Sequence, residues 1–240
     1  MTDPTTATLA AALLDAQPAA AVDLAAEVRT GPVGAAELAA HLAARMCHDY
    51  ISPAGAIISG LDLLEDPSAQ DMREEAMGLI ASSAKKLVDH LSFDRVALGA
   101  SAAAETFDTR ALETLAQGVF AHGRASLTWS VEPRALPKPA ARALLNLAQI
   151  GLGALPTGGV ATVQTTDEDG FVSLEVECKG ARARLRPAVI DGLEGRRLGE
   201  GLPGLWVQAY YLRQIVDSAG GGLDYDVSEE RVAVRVRMPD

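Results

Sequence analysis

The sequence predicts an α+β fold: an N-terminal antiparallel helical hairpin, then a layer of helices on a mixed β-sheet. Three observations carry this. Apolar residues between positions 35 and 98 recur at spacings of three, four and seven, the period of a helix. Past the small-residue stretch Gly99-Ala100-Ser101-Ala102-Ala103-Ala104, helical patterns interleave with runs that alternate every second residue, as strands do. The 240 residues are 48% hydrophobic and 22% charged, which supports a packed core and excludes wholesale disorder. Aromatics are only 4%, so that core is built from Leu, Val, Ile and Ala.

Residues 1–34 are Ala-rich, interrupted by Pro18 and closed by Gly31-Pro32 and Gly34, and read as a poorly packed tail. A helix over 35–65 carries Leu42, Met46, Pro53, Ile57, Leu61 and Leu64 on one side, with His41, His48, Ser52, Gly55, Ser59 and Asp62 opposite. Asp66-Pro67-Ser68 breaks it, and Ser68 with Asp71 is spaced as a capping box for the next helix. That helix runs to about Leu98 through Met72, Ala76, Leu79, Ile80, Ser83, Leu87 and Leu91. An isolated hairpin leaves its apolar stripes half exposed, and pairing two hairpins buries them. A homodimer built on a four-helix bundle is therefore expected. The organisation is then a tail (1–34), a hairpin (35–100) and an α/β sandwich (101–240). Within the sandwich, helices are expected at 108–122, 137–155 and 203–219. Strands are expected at 127–131, 160–166, 171–177, 223–227 and 232–238, with the helices covering one face.

The formal net charge is −11, so nucleic-acid phosphates and anionic lipid are poor partners. Two isolated cysteines, Cys47 and Cys178, make neither a disulfide framework nor a zinc site. The first residues lack the basic stretch of a signal peptide, and no apolar run reaches the ~18 residues of a membrane span. A cytoplasmic protein without membrane association is expected.

His48 is the most informative residue. It lies opposite the apolar stripe, is followed by Asp49, and precedes Pro53 by one turn and a half. A proline inside a helix removes a hydrogen bond, so this marks either a site or a simple kink. An exposed imidazole is substantially neutral at cytoplasmic pH, and neutral imidazole is a nucleophile toward phosphorus. The segment Arg45-Met46-Cys47-His48-Asp49-Tyr50-Ile51-Ser52-Pro53 resembles the H-box of two-component histidine kinases. Leu144-Leu145-Asn146-Leu147-Ala148-Gln149-Ile150-Gly151 stands where that family's N-box belongs. Gly199-Glu200-Gly201-Leu202-Pro203-Gly204-Leu205 resembles its glycine-rich nucleotide loop.

The departures matter equally. Ile150 replaces the second N-box asparagine, a Mg²⁺ ligand, and Cys178 replaces the aspartate that would accept from adenine. The lid is short. The resemblance therefore narrows to the ChpT-type histidine phosphotransferases, whose nucleotide-binding fold is degenerate. It is also carried by His-Asp-x-Ile-Ser-Pro-Ala, by the segment 59–67, and by Ala181-Arg182-Ala183-Arg184-Leu185-Arg186-Pro187.

That resemblance implies a homodimeric phosphorelay protein of cell-cycle control. His48 would accept a phosphoryl group from the receiver of a CckA-like hybrid kinase and pass it to CtrA-like and CpdR-like response regulators. No cofactor or metal is expected on this chain, because the receiver supplies Mg²⁺. Asp49 is expected to hold Nδ1–H, with Nε2 attacking. Arg45 and Ser52, one turn to either side, are expected to serve the phosphoryl oxygens. Gly199, Gly201 and Gly204 are read as a relict phosphate loop, with weak ATP binding left open.

Residues 178–197 carry a local charge of +4, against −5 for the hairpin. Arg182, Arg184 and Arg186 would either steer an acidic receiver face or merely solvate one face of a strand. His41, His90 and His122 are expected to be ordinary surface residues. Cys178 is expected in the core, and Trp129 and Trp206 in core or interface. An active histidine kinase and a non-catalytic receiver-binding adaptor remain as alternatives.

Overall fold

The computed structural model describes residues 32–99, 104–199 and 203–239. The expected tail, save its last three residues, and most of the expected linker lie outside them. Helix α1 (Ala35–Glu65) runs without interruption through the buried Pro53. A short 3₁₀ turn (Gln70–Met72) leads into α2 (Arg73–Ala97). The expected capping box is not formed. Asp66 takes both the backbone N–H and the hydroxyl of Ser68, at 2.8 and 2.7 Å, so the serine closes the turn and the helix begins later, uncapped by a side chain. The two helices approach closely at Gly60, where an added Cβ would stand 2.6 Å from Ile80 Cγ1 and 3.1 Å from the Ala76 carbonyl. Glycine permits that approach, and any side chain there forces the helices apart.

After the hairpin come β1 (Thr106–Asp108), α3 (Thr109–Phe120), β2 (Ala125–Ser130), β3 (Ala135–Pro137) and α4 (Lys138–Ala154). Then follow β4 (Gly159–Glu168), β5 (Phe171–Lys179), α5 (Pro187–Leu193), α6 (Pro203–Ser218), β6 (Gly222–Ser228) and β7 (Arg231–Pro239). The main sheet has the order β2-β4-β5-β7-β6, with β2 parallel to β4 and every other pair antiparallel. A one-sided mixed sheet was expected. The pair β1/β3 and the short α5 were not, and residues 181–186, weighed above as a strand, have no regular structure.

The sheet's two faces differ as strand alternation dictates. Val172, Leu174, Val176 and Cys178 of β5 and Val232, Val234, Val236 and Met238 of β7 point inward and are buried. Outward, Arg235 pairs with Glu175 and Arg231 bridges Glu177 and Asp226. Helix α4 lies against the inner face with Leu144, Leu145, Leu147 and Ala148 inaccessible to solvent.

The hairpin joins this layer through polar contacts at its open end. Asn146 of α4 donates to the carbonyls of Ala97 (3.0 Å) and Arg142 (2.7 Å), and accepts from Gln208 of α6. Tyr211 donates to the Leu98 carbonyl at 3.0 Å. Leaving such buried groups unpaired costs about 1–3 kcal/mol each, so these bonds fix where α2 ends against α4 and α6. The start of α1 is held by Glu37 pairing with Arg197 at 2.8 Å. His41 packs edge-on to Trp206, with ring centroids 5.2 Å apart. It is thus half-buried packing rather than an ordinary surface residue. Trp206 is buried and Trp129 half-buried against the core.

Candidate active site

Helix α1 presents His48 to solvent, its side chain 88% exposed. Neighbouring helical residues diverge by about 100°, yet Asp49 turns back far enough to put Oδ1 3.2 Å from His48 Nδ1. The other oxygen of Asp49 meets Arg45 Nε at 3.4 Å, one turn earlier. Arg45 in turn donates from its NH1 group to the carbonyl of Gly204 in the first turn of α6. A continuous polar line thus runs from the α/β layer through Arg45 and Asp49 to Nδ1. It leaves Nε2, the far ring nitrogen, facing outward without a partner among the described residues.

A carboxylate on Nδ1 fixes the tautomer with its proton there and the lone pair on Nε2. It also stabilises the positive charge that develops when Nε2 forms a bond. Arg45 is mostly buried and faces Asp49 and α6, so it reaches His48 through Asp49. Ser52 is exposed one turn further on. Cys47 is an exposed free thiol.

Behind this face, Tyr50 donates to Asp94 of α2 at 2.6 Å, tying the helices together at the level of the site. Burial, then the hydrogen bond to Asp94, pushes the Tyr50 hydroxyl well above its ordinary pKa. Burial likewise raises Asp94, although the Tyr50 bond pulls the other way. Sequence reasoning missed this pair. The hairpin register holds the signal, because Tyr50 and Asp94 are each 22 positions from Met72 in the turn.

His90 and His122, expected to stand alone, instead form a cluster. Their rings stack with centroids 6.2 Å apart, and His122 Nε2 lies 2.8 Å from Asp89, which Lys85 also pairs at 2.9 Å. Burial raises the Asp89 carboxyl, but the bonds from Lys85 and His122 outweigh it, so its pKa is lowered. Burial holds His90 below the usual imidazole value. No sequence pattern joins these residues, because Asp89 and His122 meet only where α2 packs on α3.

Ile150 and Cys178, where nucleotide ligands were expected to be lost, are both buried. Cys178 is inaccessible, its thiol directed at the Gly151 carbonyl at 3.6 Å. Burial, with the charge of Glu177 adding, pushes that thiol up to about 12. Asn146 has its amide engaged by Ala97, Arg142 and Gln208. Of the glycine segment, Gly199 is exposed and Gly204 gives its carbonyl to Arg45. Gly201 lies outside the described residues. No group of three or more His, Cys, Asp or Glu among the described residues is arranged to hold a metal ion. Arg182 and Arg184 are exposed and Arg186 is half-buried.

The model of the histidine phosphotransferase C-terminal domain matches residues 109–231. The protein phosphotransferase ChpT of Brucella abortus (strain 2308) is 34% identical over 201 residues, 83% of this chain and 95% of that protein. This chain belongs to the histidine phosphotransferase family. The 1.7 Å structure of a bacterial phosphotransferase agrees, with a TM-score of 0.77 at 33% identity over 86% of this chain and 98% of that one. The helical hairpin followed by an α/β layer is thus the architecture of a histidine phosphotransferase. Among the described residues, no helix of this family member is long and apolar enough to cross a membrane.

Proposed function

We propose that this chain is a phosphorelay intermediate in which His48 carries the phosphoryl group. The reading rests chiefly on the exposed imidazole whose Nδ1 faces Asp49 and whose Nε2 is open. The Nε2 lone pair attacks the phosphorus of a receiver's aspartyl phosphate. The bond from phosphorus to the aspartyl oxygen breaks, and the carboxylate leaves with the electron pair. The proton on Nδ1 stays between the ring and Asp49. Transfer to a second receiver runs the same step in reverse. An acyl phosphate is already activated, so this chain's contribution is a positioned nucleophile. Mg²⁺ belongs to the receiver, and this chain needs no cofactor. Arg45 is a positioning residue acting through Asp49, and the Ser52 hydroxyl serves the phosphoryl oxygens.

The donor is the receiver of a CckA-like hybrid kinase and the acceptors are CtrA-like and CpdR-like regulators of the cell cycle, in the cytoplasm. Arg182, Arg184 and Arg186 attract the acidic face of those receivers. The hairpin pairs with a second copy to complete a four-helix bundle. Of the ten exposed large apolar side chains among the described residues, eight lie between Ile51 and Leu91, including Ile58 (48%), Met77 (54%) and Val88 (59%). Exposed apolar side chains concentrated on one helical hairpin favour an interface there.

The test is a labelling experiment with two arms. Phosphorylated receiver should label the protein with an acid-labile phosphate that disappears in His48→Ala, and labelled Mg-ATP alone should not. Label from ATP would make this a kinase, and label from neither source would leave a binding adaptor. Light scattering should give a dimer that Ile58→Asp converts to monomer.

A further inference from the structure

Of the six basic residues at 178–197, three are neutralised: Lys179 by Glu177, Arg196 by Asp191 and Glu194, and Arg197 by Glu37. The side chains of Arg184 and Arg186 have neither an ion pair nor a hydrogen bond among the described residues. Both line one cavity of about 200 Å³, and the third arginine lining it is Arg45. Its floor is apolar, with Ile150, Val189 and Leu205, and Gln149 presents a buried carboxamide oxygen that has no partner.

We propose that this cavity binds a small phosphoanion, of the size of inorganic phosphate or pyrophosphate. Three arginines lining one cavity concentrate positive charge there, and only Arg45 has an acid beside it, Asp49. A multivalent anion balances that charge, and the guanidinium fork matches phosphate oxygens two at a time. The Gln149 amide, turned end for end, adds a donor. Size limits the guest, because the cavity falls below the roughly 300–1,000 Å³ of sites that take drug-sized ligands. The frame is preformed: the Arg184 backbone N–H is bonded to the Ala154 carbonyl at 3.0 Å, and Arg45 is anchored on Gly204. Arg45 also couples the site to His48. An anion in the cavity competes with Asp49 for one guanidinium, so occupancy changes the hold on Nδ1. It also neutralises two of the three arginines assigned above to receiver docking. Binding does not depend on whether His48 transfers phosphate, so the two readings fail separately.

Isothermal calorimetry on the full chain tests this, with sodium phosphate, sodium pyrophosphate and glycerol 3-phosphate at matched ionic strength. One saturable site per chain is expected. Arg184→Glu with Arg186→Glu should weaken it at least about tenfold. Glycerol 3-phosphate binding more tightly than inorganic phosphate would identify an organic phosphate as the guest, and the reverse order a free phosphoanion. If circular dichroism shows the double Glu variant unfolded, Arg184→Gln with Arg186→Gln replaces it. No saturable heat with any probe, or equal affinity in the double variant, overturns the proposal. In the wild type, phosphate should also move the His48 ring resonances, and their invariance at saturation would overturn the coupling.

Discussion

His48 and His122 each set an imidazole nitrogen beside a carboxylate, at 3.2 Å from Asp49 and 2.8 Å from Asp89. By hydrogen-bond length alone His122 is the better candidate for activation. Their surroundings reverse the ranking. The His122 side chain is 18% exposed, stacks on His90, and gives its Nε2 to Asp89, so the nitrogen farthest from the backbone is taken. His48 is held through Nδ1, the nearer nitrogen, and Nε2 stands clear. A carboxylate partner therefore does not distinguish an open imidazole from a structural one. The distinction lies in which nitrogen the carboxylate holds, and in whether a partner protein can reach the other.

The sharpest break of this comparison is His48→Ala against His122→Ala. The first should abolish transfer from phosphorylated receiver while leaving the far-UV spectrum intact, and the second should transfer normally. Asp49→Asn should slow transfer on the order of 10²-fold, because an amide no longer stabilises the developing imidazolium; single-turnover rates measure this. His122→Ala should instead show its effect in urea denaturation. Loss of one of the two partners of the half-buried Asp89 costs about 1–2 kcal/mol. The smallest effect concerns pH. His90 faces Asp49 and Arg45 from α1, Lys86 on its own helix and His122 beyond α3, and burial lowers its pKa. The unfolded chain then binds that proton more readily than the folded one. Stability is intact above the ordinary imidazole pKa of about 6.5 and drains as pH falls below it. The melting temperature should decline with acidification below that point, and His90→Gln should make the decline shallower.

The hairpin was legible because two long helices with repeats of three, four and seven residues have no competing period to obey. The five strands of the main sheet were legible for the same reason, with ends misplaced by no more than two residues. What escaped was short or non-local. Three-residue strands such as β1 and β3 are too brief to alternate, and α5 has fewer than two full periods. The capping box failed because Asp66 competes for the same serine. At the site, the exposure of His48 and its contact with Asp49 follow from positions on one helix. The reach of Arg45 to Gly204 spans 159 positions, and the meeting of Asp89 with His122 spans 33. Such pairs exist only once the layers pack.

Asn146 gives the molecule a direction in time. Its amide is a three-way strut between the end of the hairpin, its own helix and α6. At the position that resembles the head of a kinase N-box, the side chain serves as masonry. Placing asparagine at Ile150 and aspartate at Cys178 would still leave the Asn146 amide bricked in, with the hairpin's footing as the cost of freeing it. A change toward nucleotide binding would thus meet a ratchet. Each change is small, but several are required at once, and freeing Asn146 loosens the joint where the hairpin meets the layer.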